Sequence, residues 1–166
     1  MAQWWFHLLM VGSASLVVPT LVLLTCLRWG WTAFAEDFPE DVQALLPEPT
    51  RAEVVRGRVL GPIFLLSLLA VLVTTTATWE PARDGFLAAW SMALGVTVLF
   101  CLVDLVIVDW VVVCTWRPSW VTPRGTETAA GWDDYGFHLR AQLAPKGLAV
   151  LMILPLVLAA AVTVLW

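Results

Sequence analysis

The side chains that could do chemistry are gathered in one third of the chain, from Asp104 to His138. The candidate acids and base are Asp104, Asp109, Glu127, Asp134 and His138. Carboxylates and an imidazole can act as general acids and bases or as metal ligands. Asp134 and His138 are spaced i, i+4, so on a helix they would share a face, and the carboxylate could fix the tautomer of the imidazole. The same pair could equally be a surface pair without function.

Four arginines are the candidates for holding an anionic ligand, because a guanidinium group binds carboxylates and phosphates. They are Arg56, Arg58, Arg117 and Arg124. Arg56 or Arg58 is also the expected partner of Asp104, since an ionised acid among Val, Leu and Ile costs free energy unless it is paired. The alternative for these arginines is contact with lipid phosphates.

Neither a metal nor a cofactor is expected. If a metal were bound, its ligands would be Asp104, Asp109, Glu127 and His138, but these residues show none of the usual spacings such as His-x-x-x-His or Glu-x-x-His. At ~100° per residue, Asp104 and Asp109 would lie about 140° apart around an α-helix, so they should not form a side-by-side carboxylate pair. The three cysteines form no Cys-x-x-Cys motif.

The composition predicts that these groups sit in a membrane protein. The chain has 166 residues, of which 60% are hydrophobic and 13% charged, and its mean hydropathy is +0.84. That much apolar surface cannot be buried in one water-soluble core. A spanning helix needs about 20 apolar residues, and four suitable runs occur, at about 8–27, 59–79, 85–115 and 147–166. We therefore predict an all-α membrane protein, a single four-transmembrane-helix bundle over residues 1–166.

The basic residues predict how the bundle is oriented. Of the nine Lys and Arg residues only Arg83 falls on the side of the termini, which leaves eight on the side of the two long loops, about 28–58 and 116–146. By the positive-inside rule these loops are cytoplasmic and both termini lie outside.

The tryptophans near the inner ends of the runs are interpreted as interface anchors: Trp29, Trp31, Trp110, Trp116, Trp120 and Trp132. The net charge of -4 argues against nucleic acid as a partner.

The first loop carries two helix signals. Apolar residues recur with helical spacing from Phe38 to Leu46, behind Pro39, which predicts a short amphipathic helix lying in the headgroup plane. Thr50 and Glu53 form a capping-box pattern, so the second spanning helix should begin there, several residues before it enters lipid.

The third spanning helix and the second loop also carry boundary signals. Asp84 is the expected N-cap of the third helix, and Arg117, which precedes a proline, is expected to end it. Pro123 and Gly125 predict a turn that presents Thr126 and Glu127. Asp133 or Asp134 should cap a short helix from Tyr135 to about Leu143.

Part of this stretch resembles a group of small bacterial four-span integral membrane proteins that have no assigned activity. The resemblance rests on Asp104 to Trp110, Arg117-Pro118, Gly125-Thr126-Glu127, Tyr135 and His138. In that group the glycine follows proline directly, whereas here Arg124 stands between Pro123 and Gly125. The resemblance implies that these residues belong together. We expect the protein to lie in a bacterial cytoplasmic (inner) membrane.

Three functions are compatible with the sequence. The first is an accessory or scaffold protein that forms a homo-oligomer or docks a membrane partner through its cytoplasmic loops, and it is favoured because the outer two thirds of the spans hold no ionisable residue for a transport path. The second is a headgroup-level pocket, built from the acids, His138 and the arginines, that binds or modifies a membrane lipid or a small anionic metabolite. A transporter is third, and an enzymatic activity is not favoured.

Overall fold

The computed structural model describes residues 1–83 and 85–165, and this part of the chain is helical without a strand. Four helices are long and apolar enough to cross a membrane, which confirms the predicted all-α four-helix bundle. Two shorter helices lie in the long loops. The helices are α1 (Ala2–Trp29), α2 (Glu40–Gln43), α3 (Arg51–Ala77), α4 (Phe86–Trp116), α5 (Tyr135–Leu143) and α6 (Pro145–Leu165). The expected N-cap Asp84 lies outside the described residues, as does Trp166.

Apolar side chains hold the bundle together in two helix pairs. Helix α1 packs along α3, and α4 packs along α6, while α3 and α4 contact each other across the short turn Glu80–Arg83. Helices α3 and α4 are therefore antiparallel neighbours. Ala89 of α4 and Ala159 of α6 are fully buried in one cluster. Small residues at that position let two helix backbones approach closely in lipid.

Local sequence signals set the ends of the helices as predicted. At the start of α3 the Thr50 amide donates to Glu53 Oε2 (2.8 Å), and the Glu53 amide donates to Thr50 Oγ1 (3.3 Å), which completes the capping box. The side chain of Asp134 accepts from the Phe137 amide (3.0 Å) and caps α5. Helix α4 ends at Trp116 because Arg117 takes a left-handed conformation with φ of 42° before its proline.

The second half of α4 is wound more widely than an α-helix. Asp104–Trp116 is π-helical, and the Arg117 amide accordingly donates to the carbonyl of Val112, five residues earlier (2.8 Å). In a π-helix the i→i+5 hydrogen bonds bring residues five apart onto nearly the same face. Asp104 and Asp109 are five apart and both face α5. The two acids are therefore closer around the helix than the 140° expected from 100° per residue.

The two long loops fold together over one end of the bundle. We call residues 30–50 and 117–144 the cap. Its core contains Phe38 and Val42 from the first loop and Trp132 from the second, with the rings of Phe38 and Trp132 5.5 Å apart. The amphipathic helix predicted over residues 38–46 is only Glu40–Gln43, and the apolar side chains of Phe38 and Val42 pack in the core of the cap. Val42 is fully buried there.

Candidate functional site

The central contact of the candidate site joins α4 to α5. Nδ1 of His138 lies 3.2 Å from Oδ1 of Asp109, and the two side chains are 14% and 18% exposed. This contact holds the imidazole ring against α4. Nε2 of His138 is buried and has no hydrogen-bond partner among the described residues. An imidazole held on one side and unpaired on the other can accept or donate one further hydrogen bond.

Asp104 lies beside this pair, about one turn deeper in α4. It is within electrostatic range of Asp109 and His138, and the Gln142 side chain reaches it from α5. Gln142 also donates to the carbonyl of Cys101 (3.1 Å). Since His138 and Gln142 are four residues apart, they share one face of α5. The predicted ion pair of Asp104 with Arg56 or Arg58 is not present, because neither arginine belongs to any ion pair of the described residues.

A second set of contacts fixes the beginning of α5 on the end of α4. The indole Nε1 of Trp110 donates to the carbonyl of Tyr135 (3.1 Å), and the Tyr135 hydroxyl lies 2.9 Å from Thr115 Oγ1. Their rings are 6.2 Å apart in an edge arrangement. Tyr135, His138 and Gln142 therefore dock α5 along the π-helical part of α4.

Asp134 has another role than the one its spacing suggested. It bonds to Arg140 (Oδ2 to the guanidinium, 2.6 Å) and caps α5, while His138 turns to Asp109. The predicted Asp134 and His138 pair was therefore wrong, because an N-cap side chain points back to the amides of the first turn. The hydrogen bond from Arg140 and the Phe137 amide hold the pKa of Asp134 below its usual value, although some desolvation opposes them.

The remaining basic candidates are spread around the cap. Arg117 pairs with Asp133 and donates to the carbonyl of Cys114 (3.2 Å), so it closes the second loop on the end of α4. Arg124 is exposed and lies within electrostatic range of Glu53. Arg56 and Arg58 are exposed on opposite flanks of α3 and each borders a separate groove.

The turn at Gly125 does not bring Glu127 to the site. Thr126 is fully buried and donates to the carbonyl of Pro123 (2.7 Å), whereas Glu127 is exposed and outside every ion pair of the described residues. Gly125 has φ of 87°, a conformation that glycine adopts readily. The turn therefore presents only one of its two expected side chains.

The proposed metal ligands do not converge in the part of the chain that the structure describes. Among residues 1–83 and 85–165 no three His, Cys, Asp or Glu side chains are close enough to hold a metal ion. Asp104, Asp109 and His138 share one helix interface, and Glu127 is exposed in the loop beyond it. The arrangement leaves Nε2 of His138 able to form one hydrogen bond with a ligand.

Sequence reasoning missed three residues that build the site. Gln142 was not singled out, although its i+4 spacing from His138 was visible. Trp132 was interpreted as a membrane anchor, yet it is 1% exposed and donates to the carbonyl of Thr126 (2.8 Å). Asp41 accepts a hydrogen bond from the Gly131 amide (2.7 Å), across 90 residues of sequence, and no local pattern indicated this contact.

Four spanning-length apolar helices with a folded polar cap define a multi-pass α-helical membrane protein. Searches of protein-family models, of curated proteins and of solved structures found no match to this chain.

Proposed function

We propose that this protein is an accessory or scaffold protein of the bacterial cytoplasmic membrane, with both termini outside and the cap in the cytoplasm. The orientation is supported by the eight Lys and Arg residues on the cap side. The cap then provides a docking surface for a second copy of the chain or for another membrane-complex subunit.

One observation carries this proposal: four of the nine polar candidates, Asp109, Asp134, His138 and Arg117, are paired in contacts that build the cap or hold it on α4. Asp133 pairs with Arg117, Asp134 pairs with Arg140, and Asp109 holds His138. Groups that are already paired contribute to a rigid structure and are poorly placed to act on a substrate. A rigid cap with a buried core is what a docking surface requires.

The outward side of the cap remains available to a partner. Arg124, Glu127 and Thr128 of the cap are exposed near the turn at Gly125, and Trp116, the last residue of α4, is 65% exposed. Exposed aromatic and arginine side chains are enriched in protein interfaces.

Site-specific photocrosslinking in native membranes tests the proposal. A photoreactive phenylalanine analogue is placed at Glu127 on the cap and, as a matched control, at Leu66, which is 66% exposed on the bundle. We expect a discrete protein adduct from position 127 and lipid adducts alone from position 66. Coexpressed copies with two different tags tell whether the adduct is a homo-oligomer.

The proposal fails if photoreactive groups at 116, 124, 127 and 128 all give no protein adduct. It also fails if positions 127 and 66 give the same protein adducts. The crosslinks from the cap would then be no more specific than those from the lipid-facing surface. Labelling of single cysteines placed at the cap and at the termini tests the orientation separately.

A second candidate function is favoured by the free nitrogen of His138. The buried Nε2 next to Asp109 and Asp104 could bind a headgroup or a small metabolite at the membrane interface. Native mass spectrometry of the purified protein should then show a retained ligand that alanine variants of Asp104 and His138 lose. No bound ligand in the wild-type protein would exclude this function.

A further inference from the structure

An apolar groove runs along the cap end of α3, and none of the residues that line it belongs to α4 or α5. Its cavity volume is about 790 Å³, which is within the ~300–1,000 Å³ of small-molecule sites. One wall is formed by residues 31–35 and the other by Leu46, Pro47 and Pro49 of the first loop. The floor is α3 itself, from Gly57 to Leu65.

Gly57 explains why the groove has this shape. A Cβ atom at position 57 would lie 2.1 Å from Thr32 Oγ1, so only a glycine allows the first loop to approach α3 this closely. Thr32 donates to the carbonyl of Glu53 (3.1 Å), and Trp31 Nε1 donates to Glu53 Oε1 (3.4 Å). These bonds fix the first wall on α3, so the groove is formed without a ligand.

The polar end of the groove carries one available cation. Arg58 borders the groove, is exposed and belongs to none of the ion pairs of the described residues. Arg56 stands on the opposite flank of α3 beside a smaller groove. An exposed arginine at the mouth of an apolar channel complements an anionic headgroup.

The direction of the groove argues for a lipid over a soluble anion. The apolar run of α3 begins at Val59, directly after Arg58, so Arg58 stands where the helix enters the membrane. Leu65 lies seven residues further along, which is about 10 Å deeper at ~1.5 Å per residue. A charged side chain at the membrane surface with an apolar channel below it matches an amphiphile, which has a charged headgroup and an apolar chain.

We propose that this groove binds one anionic phospholipid, with its phosphate on Arg58 and an acyl chain along Gly61, Pro62 and Leu65. This site goes beyond the docking role proposed for the cap, and the residues that line it include neither Asp109 nor His138. The bound lipid would fill the space between the first loop and the membrane.

Photolabelling with a defined lipid tests the proposal. The wild-type protein is placed in phosphatidylcholine vesicles that contain phosphatidylglycerol with a photoreactive acyl chain, and labelled residues are mapped by mass spectrometry. We expect labels on residues that line the groove, such as Ala33 of the first loop and Leu65 of α3. Excess unlabelled phosphatidylglycerol should compete, whereas glycerophosphate, which shares the headgroup chemistry but has no acyl chain, should not.

Two pairs of variants separate a site from general attraction. Arg58→Gln should reduce groove labelling about fivefold. This corresponds to the ~1 kcal/mol contributed by one arginine near an anionic surface. Arg56→Gln, which makes the same charge change on the other flank of α3, should not reduce groove labelling. Ala33→Trp should block the groove, and Leu66→Trp, with the same indole outside the groove lining, should leave labelling unchanged.

Several results would overturn the lipid site. Equal losses from Arg58→Gln and Arg56→Gln would mean diffuse electrostatic attraction, and competition by glycerophosphate would mean an anion site without a chain channel. Labels spread evenly over the lipid-facing surfaces of the bundle would mean that no groove is occupied. The cap crosslinks described above are independent of these readouts, so either proposal can fail alone.

Discussion

The carboxylate of Asp109 on α4 lies 3.2 Å from the imidazole Nδ1 of His138 on α5, and both side chains are largely buried. This contact ties the second long loop to the spanning bundle where the π-helical segment of α4 turns both of its acids toward α5. The polar cluster is therefore a helix-docking contact, with one free nitrogen left over at His138.

Removing either partner of this contact should destabilise the cap. His138→Ala leaves Asp109 partly buried without its partner, and Asp109→Ala does the same to the imidazole, so each single change should cost about 1–3 kcal/mol. The double variant should lose less than the sum of the two. A double-mutant cycle measured by unfolding in detergent gives the coupling, and strict additivity of the two losses would contradict a direct pair.

Trp132 should be the most sensitive residue of the cap. Trp132→Ala removes its buried indole from contact with Phe38 and should cost about 3–5 kcal/mol. Amide hydrogen exchange should become fast over residues 38–43 of the first loop while the spanning helices stay protected. Trp116→Ala is the matched control, since that indole is 65% exposed. Equal effects of the two variants would be inconsistent with a core position for Trp132.

Acid should loosen the start of α5 through Asp134. Its pKa is lower in the folded chain than the usual 3.8, chiefly because Arg140 donates to the carboxylate. The folded state therefore gains stability from the ionised group above pH ~4, and that gain disappears as the pH falls through the folded pKa. Exchange of the Phe137 amide should speed up across this range. The Asp134→Asn variant should show no such step, and Arg140→Gln should move the step to higher pH.

The corner between α5 and α6 should depend on Gly147. A Cβ atom at position 147 would lie 2.1 Å from the carbonyl oxygen of Gln142, so Gly147→Ala must shift one helix relative to the other. Because Gln142 is the residue that reaches Asp104 and Cys101, the change should also weaken the docking of α5. A lower midpoint of thermal unfolding is expected, whereas Gly85→Ala, where a Cβ would meet nothing within 4 Å, serves as the control for steric crowding.

The sequence predicts the features of this fold that depend on local patterns. Runs of apolar residues located the four spanning helices, and the Thr50 and Asp134 caps set the starts of α3 and α5, because these signals act within a few residues. The partner of His138 could not be predicted in this way. It depends on the widened winding of α4, and the 100° rule placed Asp104 and Asp109 on different faces.

The contacts between the two long loops also could not be predicted from the sequence. Asp41 and Gly131 are 90 residues apart, and Phe38 meets Trp132 only because both loops lie over the same end of the bundle. A tryptophan near a span end is typical of the membrane interface, so nothing local distinguished Trp132 from Trp116. Asp104, Asp109 and His138 share one helix interface whereas Glu127 is exposed in the loop beyond it, because these positions depend on tertiary structure.

The shared core of the cap has a consequence for the order of biogenesis. Phe38 and Val42 are synthesised before α3, whereas Trp132, which covers them, follows α4. While the ribosome is still delivering the two middle spans to the membrane, the apolar side of the first loop has no cover of its own. The cap can therefore be completed only late in synthesis, after α3 and α4 have been made.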